Sequence, residues 1–367
     1  MKPVPGTVYI LRTDIDRDEA PGEVYREFAR GALSALDLEI PAAGHIMLKV
    51  NATLLVPPAK RITTHPEFVG GLLDALLERG AAPERLVVGD GQSGEDPEKG
   101  MTWESSGYTG AVSARGARLV EMNGVASRPV DVPGGEVYQS FPMAREVTDA
   151  SLLLNVPVAK CHNLVCTTLC VKNLMGTVLS PQRHFCGVQE VDEPYEEGIW
   201  RLGENGLSRL EQRFCHKLCD LVTALRTLPM RRLCVIDGLV GRDGTGFNEG
   251  KNRPLGWTVM GDNEIHVDAM GTYLMGLDPE ATPYLQLATA RGLGTNRIEE
   301  IDLVDPLTGK SAEAASLRAS EPFMPISSGP DGRYYDRFRA DGSVVPWDLA
   351  SVNNQRQEDG LEPVSAD

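Results

Sequence analysis

The feature that most constrains this chain is an alternation. Short apolar runs ending in Asp, Asn or Gly take turns with longer segments of helical periodicity. Thr7 to Leu11 reads as a strand, and Glu19 to Leu36 as an amphipathic helix with Val24, Phe28, Leu33 and Leu36 near helical spacing. His45 to Asn51 is a second strand. Pro66 to Arg79 is a helix with Thr64 as its N-cap and Gly80 as its stop. Arg85 to Asp90 is a third strand, fully apolar at Leu86-Val87-Val88. Such βα units predict an α/β fold: mostly parallel sheet, flanked by helices.

The pattern resumes at Ala150 to Val156, Leu233 to Asp237 and Trp257 to Gly261 as strands, with a final strand expected at Glu300 to Val304. Helices are expected over Gly203 to Leu228, Glu264 to Met275 and Pro283 to Arg291. Ser127 to Val137, with its prolines and Gly134-Gly135, reads as an irregular or edge-strand excursion. Val165 to Leu174 fits helix or strand equally. The expected organisation is two-lobed: an N-terminal βα lobe over 1–125, a second α/β lobe over 126–304, and an extended C-terminal arm or tail over 305–367. Tyr334, Tyr335, Phe338, Val344, Val345 and Trp347 would anchor that arm against another surface, with the second subunit of a homodimer as the candidate.

Composition narrows the partners. With 41% apolar and 24% charged residues over 367 positions, the chain is globular. Its formal charge of −16 repels polyphosphate and anionic lipid, so neither nucleic acid nor a membrane surface is an expected partner. Met1 to Asp14 holds only a brief apolar run, Val8 to Leu11, too short for a signal-peptide core or a membrane span. The expected location is the cytoplasm. There, seven cysteines are expected to remain free thiols.

Against that acidic background one stretch reverses sign. Asn155, Lys160, His162, Asn163, Thr167, Thr168, Lys172, Asn173, Arg183 and His184 follow directly on a buried strand, where α/β proteins place ligands. Lys172 lies between Cys170-Val171 and Leu174-Met175, so it is expected to be partly desolvated and to need a partner or a lowered pKa. The same holds for Lys49, between Leu48 and Val50, in a strand that runs on into Asn51, Ala52 and Thr53. Asp90 and Asp237 end strands, and Asp268 follows His266. These carboxylates could cap helices, orient the lysines, serve as base or hold a divalent cation. His162 and His184 are the candidates for proton transfer. His45 and His216 read as structural, and His65, before Pro66, as a residue at a helix entrance.

The glycines from Gly238 to Gly250 follow a strand but lack the order of a dinucleotide fingerprint, and read as a lid or cleft wall. The chain carries no nicotinamide or flavin signature, no phosphate-binding P-loop and no nucleophile elbow.

In order along the chain, several motifs resemble the domain of unknown function 362 family. They are Lys49-Val50-Asn51, Thr63-Thr64-His65-Pro66, Val88-Gly89-Asp90, Asn155-Val156-Pro157 with Lys160 and His162, Thr168-Leu169 with Val171-Lys172-Asn173-Leu174-Met175-Gly176, Ile236-Asp237-Gly238 and Val267-Asp268-Ala269. The match runs from about residue 45 to about residue 302. Where the family commonly carries Asp-Pro ahead of the last aspartate, this chain has Asp262-Asn263-Glu264. The resemblance implies a two-part α/β fold with Lys49, Asn51, Lys160, His162, Lys172, Asn173 and Asp268 near one cleft. It implies no substrate.

The expectation drawn from these residues is an enzyme of lyase, isomerase or decarboxylase type acting on a small anionic metabolite. Its lysines would hold the anion, its histidines would move protons, and Asp237 or Asp268 would fix a lysine, a histidine or a metal. One rival is an iron–sulfur or metal-binding redox protein using Cys161, Cys166, Cys170 and Cys186. Another is a non-catalytic ligand-binding protein.

Overall fold

The computed structural model describes residues 1–15, 19–92, 101–179, 207, 209–247, 249–328 and 334–336, with isolated positions between 353 and 362. Arg183, His184, Cys186, Phe338, Val344, Val345 and Trp347 lie outside the described residues.

The strands are β1 (Val8–Arg12), β2 (His45–Val50), β3 (Leu86–Asp90), β4 (Arg118–Glu121), β5 (Ser127–Asp131), β6 (Ser140–Ala144), β7 (Ala150–Val156), β8 (Val158–His162), β9 (Cys166–Thr167), β10 (Arg231–Arg242), β11 (Asn252–Gly261), β12 (Leu303–Val304), β13 (Ile326–Ser328) and β14 (Tyr334–Asp336). The helices are α1 (Gly22–Ala35), α2 (Pro66–Glu78), α3 (Tyr108–Ser113), α4 (Arg145–Thr148), α5 (Cys170–Asn173), α6 (Arg209–Arg226), α7 (Glu264–Leu274), α8 (Pro283–Ala290) and α9 (Ala314–Leu317).

Among the described residues one sheet of ten strands organises the fold, in the order β12-β1-β11-β10-β7-β2-β3-β4, with β8 paired to β10 and β9 to β8. The run β10-β7-β2-β3-β4 is parallel throughout, while β11 is antiparallel to both β10 and β1. This is the α/β fold with a mostly parallel sheet that the alternation predicts. The sheet crosses residue 125, since β2 and β7 pair from His45↔Ala150 to Val50↔Val156.

Because helices cover both faces, the central strands are apolar on both sides. Ile46, Leu48, Val88, Leu152, Leu154 and Val235 pack with Tyr25, Phe28, Phe68 and Leu72 of α1 and α2. Met47, Val87, Leu153, Cys234 and Ile236 pack on the opposite face with Phe214 and Leu218 of α6 and Met270 of α7. The period of two along each strand therefore sends successive residues into different cores. By the same parity Lys49 and Asn155 share the face of Met47 and Leu153, whereas Asp237 shares the face of Leu233 and Val235.

Several local expectations are corrected. The N-cap of α2 is His65, whose imidazole Nδ1 accepts from the Glu67 N–H at 3.1 Å. The Thr64 hydroxyl instead donates to the Val156 carbonyl at 2.6 Å and ties the loop to the sheet. Val165 to Leu174 divides between β9 and α5. Gly238 to Arg242 continues β10, so only the segment after it is a turn. Ile298–Glu300 is a 3₁₀ turn, and the last strand of the large sheet is only Leu303–Val304. The segment after Asp305 runs back along the body: Ala319 N–H donates to the Leu274 carbonyl, Phe323 N–H to the Met275 carbonyl, and Phe323 is buried.

Candidate lysine pocket

Strand β8 places Lys160 and His162 two residues apart, on the same side, with Cys161 between them turned into the core. Next to them, α5 carries Lys172 and Asn173. These residues border a cavity of about 210 Å³ together with Asn51, Thr53 and Thr168. The Thr245 and Phe247 turn forms a further part of its wall. Of the residues expected at the site, seven thus meet: Asn51, Thr53, Lys160, His162, Thr168, Lys172 and Asn173.

Lys160 is 8% exposed. Its Nζ donates to Asn51 Oδ1 at 2.8 Å and to the Ile62 carbonyl at 2.6 Å. Burial, reinforced by the nearby Lys172 cation, pulls its amine down to about 7. Burial also holds the His162 imidazole well below its ordinary value, again with help from Lys172 and then Lys160, so the ring is neutral. Its Nδ1 accepts from the Leu164 N–H at 3.1 Å. A neutral ring accepting there carries its proton on Nε2. Lys172 lies over the Phe214 ring, 5.7 Å from its centroid.

Lys49 and Asp90 belong behind the pocket wall. The Lys49 ammonium meets Asp90 Oδ1 at 2.7 Å, the Val50 carbonyl at 2.6 Å and Asn173 Oδ1 at 3.1 Å. Asn173 donates in turn to Asn155 Oδ1 at 2.8 Å and to the Lys49 carbonyl at 3.1 Å. Asn155 completes the link by donating to the Cys170 carbonyl at 2.9 Å. These fully buried groups fix the position of α5 against β2 and β7.

Asp268 is likewise a positioning group. It accepts the Cys170 and Val171 N–H groups at the start of α5, at 2.7 and 2.9 Å, and the Tyr284 hydroxyl at 3.0 Å. Burial still pushes its carboxyl up to about 7, against the pull of those donors.

Asp237 faces the other core, as its parity requires. Its Oδ2 accepts from Arg61 Nη2 and from the His65 N–H, both at 2.9 Å. The Arg61 guanidinium lies 4.6 Å from the centre of the Tyr25 ring, which stacks on His65 at 4.0 Å. Sequence reasoning missed Arg61 and Tyr25. The available signal was Asp237 itself: a carboxylate at the end of an apolar strand requires a cation.

Among the described residues, no group of three or more His, Cys, Asp or Glu side chains is arranged to hold a metal ion. Cys161, Cys166 and Cys170 are buried, and burial pushes the thiols of Cys161 and Cys170 well up. Among the described residues, no helix is long and apolar enough to cross a membrane.

Fold and site together define an α/β protein with a lysine-bearing pocket beside the carboxyl ends of its central strands. The chain belongs to the domain of unknown function 362 family, whose model matches residues 46–273. It is 24% identical over 285 residues to a thylakoid-associated protein of Synechocystis sp., covering 77% of this chain and 78% of that protein. A crystal structure of a Thermotoga maritima protein aligns at 12% identity with a TM-score of 0.38, over 66% of this chain and 55% of that chain.

Proposed function

We propose that this chain is an enzyme acting on a small anionic metabolite, carboxylate- or phosphate-bearing, by a lyase, isomerase or decarboxylase type of reaction. The observation that carries this reading is the meeting of Lys160, Lys172 and neutral His162 at one small cavity in a molecule of charge −16. Lys172 holds the anion and stabilises negative charge as it develops, with Lys160 beside it on the cavity. The Nε2–H of His162 supplies a proton or a hydrogen bond to a reacting oxygen. Asn51, Thr53, Thr168 and Asn173 orient the ligand from the same wall.

The reading places the protein in the cytoplasm with a soluble small molecule as its partner, although the Synechocystis relative is described as thylakoid-associated. Contacts of the arm beyond Asp305 with a second copy would make it a homodimer.

Replacing Lys172 with Met tests the assignment. Turnover of a metabolite identified by incubation with cell extract is expected to vanish, with the melting temperature shifted by no more than a few degrees. Full activity in that variant rejects the role of Lys172.

A further inference from the structure

Two buried lysines near the pocket are bound in different ways. Lys49 has three oxygen partners, one of them the Asp90 carboxylate, which account for the three N–H bonds of an ammonium. Lys160 has two neutral partners, Asn51 Oδ1 and the Ile62 carbonyl. Two acceptors account for both hydrogens of an uncharged amine, and the remaining tetrahedral direction is its lone pair. Lys160 borders the cavity, with the Nε2–H donor of His162 and the cation of Lys172 on the same wall.

We propose that Lys160 is a nucleophile that forms a Schiff base with the carbonyl carbon of a small 2-oxo acid. This rests on the anion-enzyme reading above and names its substrate class. Lys172 takes the carboxylate, and His162 donates to the carbonyl oxygen. The cavity of about 210 Å³ suits an acid of a few carbons.

The chemistry balances without an added oxidant or reductant. The Lys160 nitrogen attacks the carbonyl carbon, a C–N bond forms, and the C=O π pair moves to oxygen. A proton passes from nitrogen to that oxygen. A second proton, taken up from solvent, reaches that oxygen; the nitrogen lone pair then forms C=N as the C–O bond breaks and water leaves, so that a protonated imine remains on Lys160. That iminium draws electrons from a bond at the neighbouring carbon C3, the step that proton abstraction or carbon–carbon cleavage there requires.

The charge environment favours a reactive amine near neutrality. Burial first, then Lys172, Arg242 and Lys49, disfavour a cation at Lys160, and Asp90 opposes them.

The test uses the full chain with pyruvate as probe and sodium cyanoborohydride as trap, read by peptide mass mapping. L-lactate, an anion without the carbonyl, and acetone, a carbonyl without the anion, are the controls. The expected result is one reduced adduct, on Lys160, formed from acetone at least about tenfold more slowly because one charge-assisted contact is lost. Lys160→Met, checked for folding by circular dichroism, is expected to form no adduct. Mapping the unaltered protein gives the answer even if that variant fails to fold. Pyruvate and lactate binding by calorimetry with no adduct at Lys160 overturns the Schiff base and leaves the anion pocket standing. No binding of pyruvate, lactate or phosphate overturns both. Adducts spread over exposed lysines at equal rates also overturn the proposal.

Discussion

The Asp268 carboxylate and the Cys170 N–H, 98 residues apart in sequence, meet at 2.7 Å, so that one helix supplies the cap of another. Helix α5 has a single turn and no capping side chain of its own at Leu169. Its orientation therefore depends on this distant carboxylate, which places Lys172 and Asn173 on the pocket wall. Asp268→Ala leaves two buried N–H groups without acceptors, each costing about 1–3 kcal/mol. The expected result is a loss of about 3 kcal/mol in urea unfolding with an unchanged m value. Asp268→Asn, which keeps an acceptor, is expected to lose less than half as much. An unaltered midpoint in the alanine variant rejects the capping role.

Lys49 and Asp90 form a fully buried pair at 2.7 Å. Removing one partner strands the other charge, so Lys49→Met is expected to cost about 3–5 kcal/mol. Asp90→Asn removes the charge and keeps an acceptor oxygen for only one of the Ala52 and Gly91 N–H groups, which the two carboxylate oxygens accept separately. The double variant is expected to lose less than the sum of the singles by about 1–3 kcal/mol, measured as a double-mutant cycle. Strict additivity contradicts a direct coupling.

Gly176 is set by crowding. A Cβ there would lie 1.9 Å from Asp90 Oδ1 and 2.6 Å from Lys49 Cε. Gly176→Ala is expected to displace that ion pair and to cost about 2–3 kcal/mol. Gly31, in the exposed part of α1 with nothing within 4 Å of its virtual Cβ, is the contrasting position. There alanine is expected to stabilise by about 0.5–1 kcal/mol. Thermal melts of the two variants side by side distinguish steric exclusion from a general response to glycine replacement.

His65 gives the stability an acid-sensitive component. Burial first, then the Arg61 cation, pulls its imidazole from 6.5 to about 3. The folded state thus resists a proton that the unfolded state accepts, and stability falls as the pH drops from 6.5 towards 3. Between those values the slope from this one group approaches about 1.4 kcal/mol per pH unit. Asp268, raised to about 7, acts with the opposite sign, losing stability as pH rises from about 4 to 7. Comparing the protein with His65→Asn cancels that contribution, since asparagine retains the capping acceptor. Urea midpoints at several pH values are expected to show the shallower acid decline in the variant; parallel curves contradict the assignment.

Much of the site was legible because lysines and histidines in a strongly acidic chain, directly after a buried strand, have few structural explanations. Lys160, His162, Lys172, Asn51, Thr53, Thr168 and Asn173 indeed share one cavity. The separate duties of Lys49, Asn155, Asp237 and Asp268 were not legible. Each is a polar residue at a strand end or in a helix, and the local pattern is the same whether the side chain lines a pocket, braces a helix or pairs with an arginine. Arg61 was missed because a loop arginine with a positive φ of 53° carries no local sign that it will be buried.

The order of apolar and polar residues determined by itself that the chain folds as α/β with a mostly parallel sheet, because hydrophobic periodicity is a local property and burial of both sheet faces follows from it. Only the tertiary structure decided which charges meet. Pairing between β2, β7 and β10 and the parity of each strand send Lys49 to one face and Asp237 to the other. The physical reason is range: periodicity is written over a few neighbouring residues, whereas a buried charge is satisfied by whatever partner the folded chain brings within about 3 Å, at any separation in sequence.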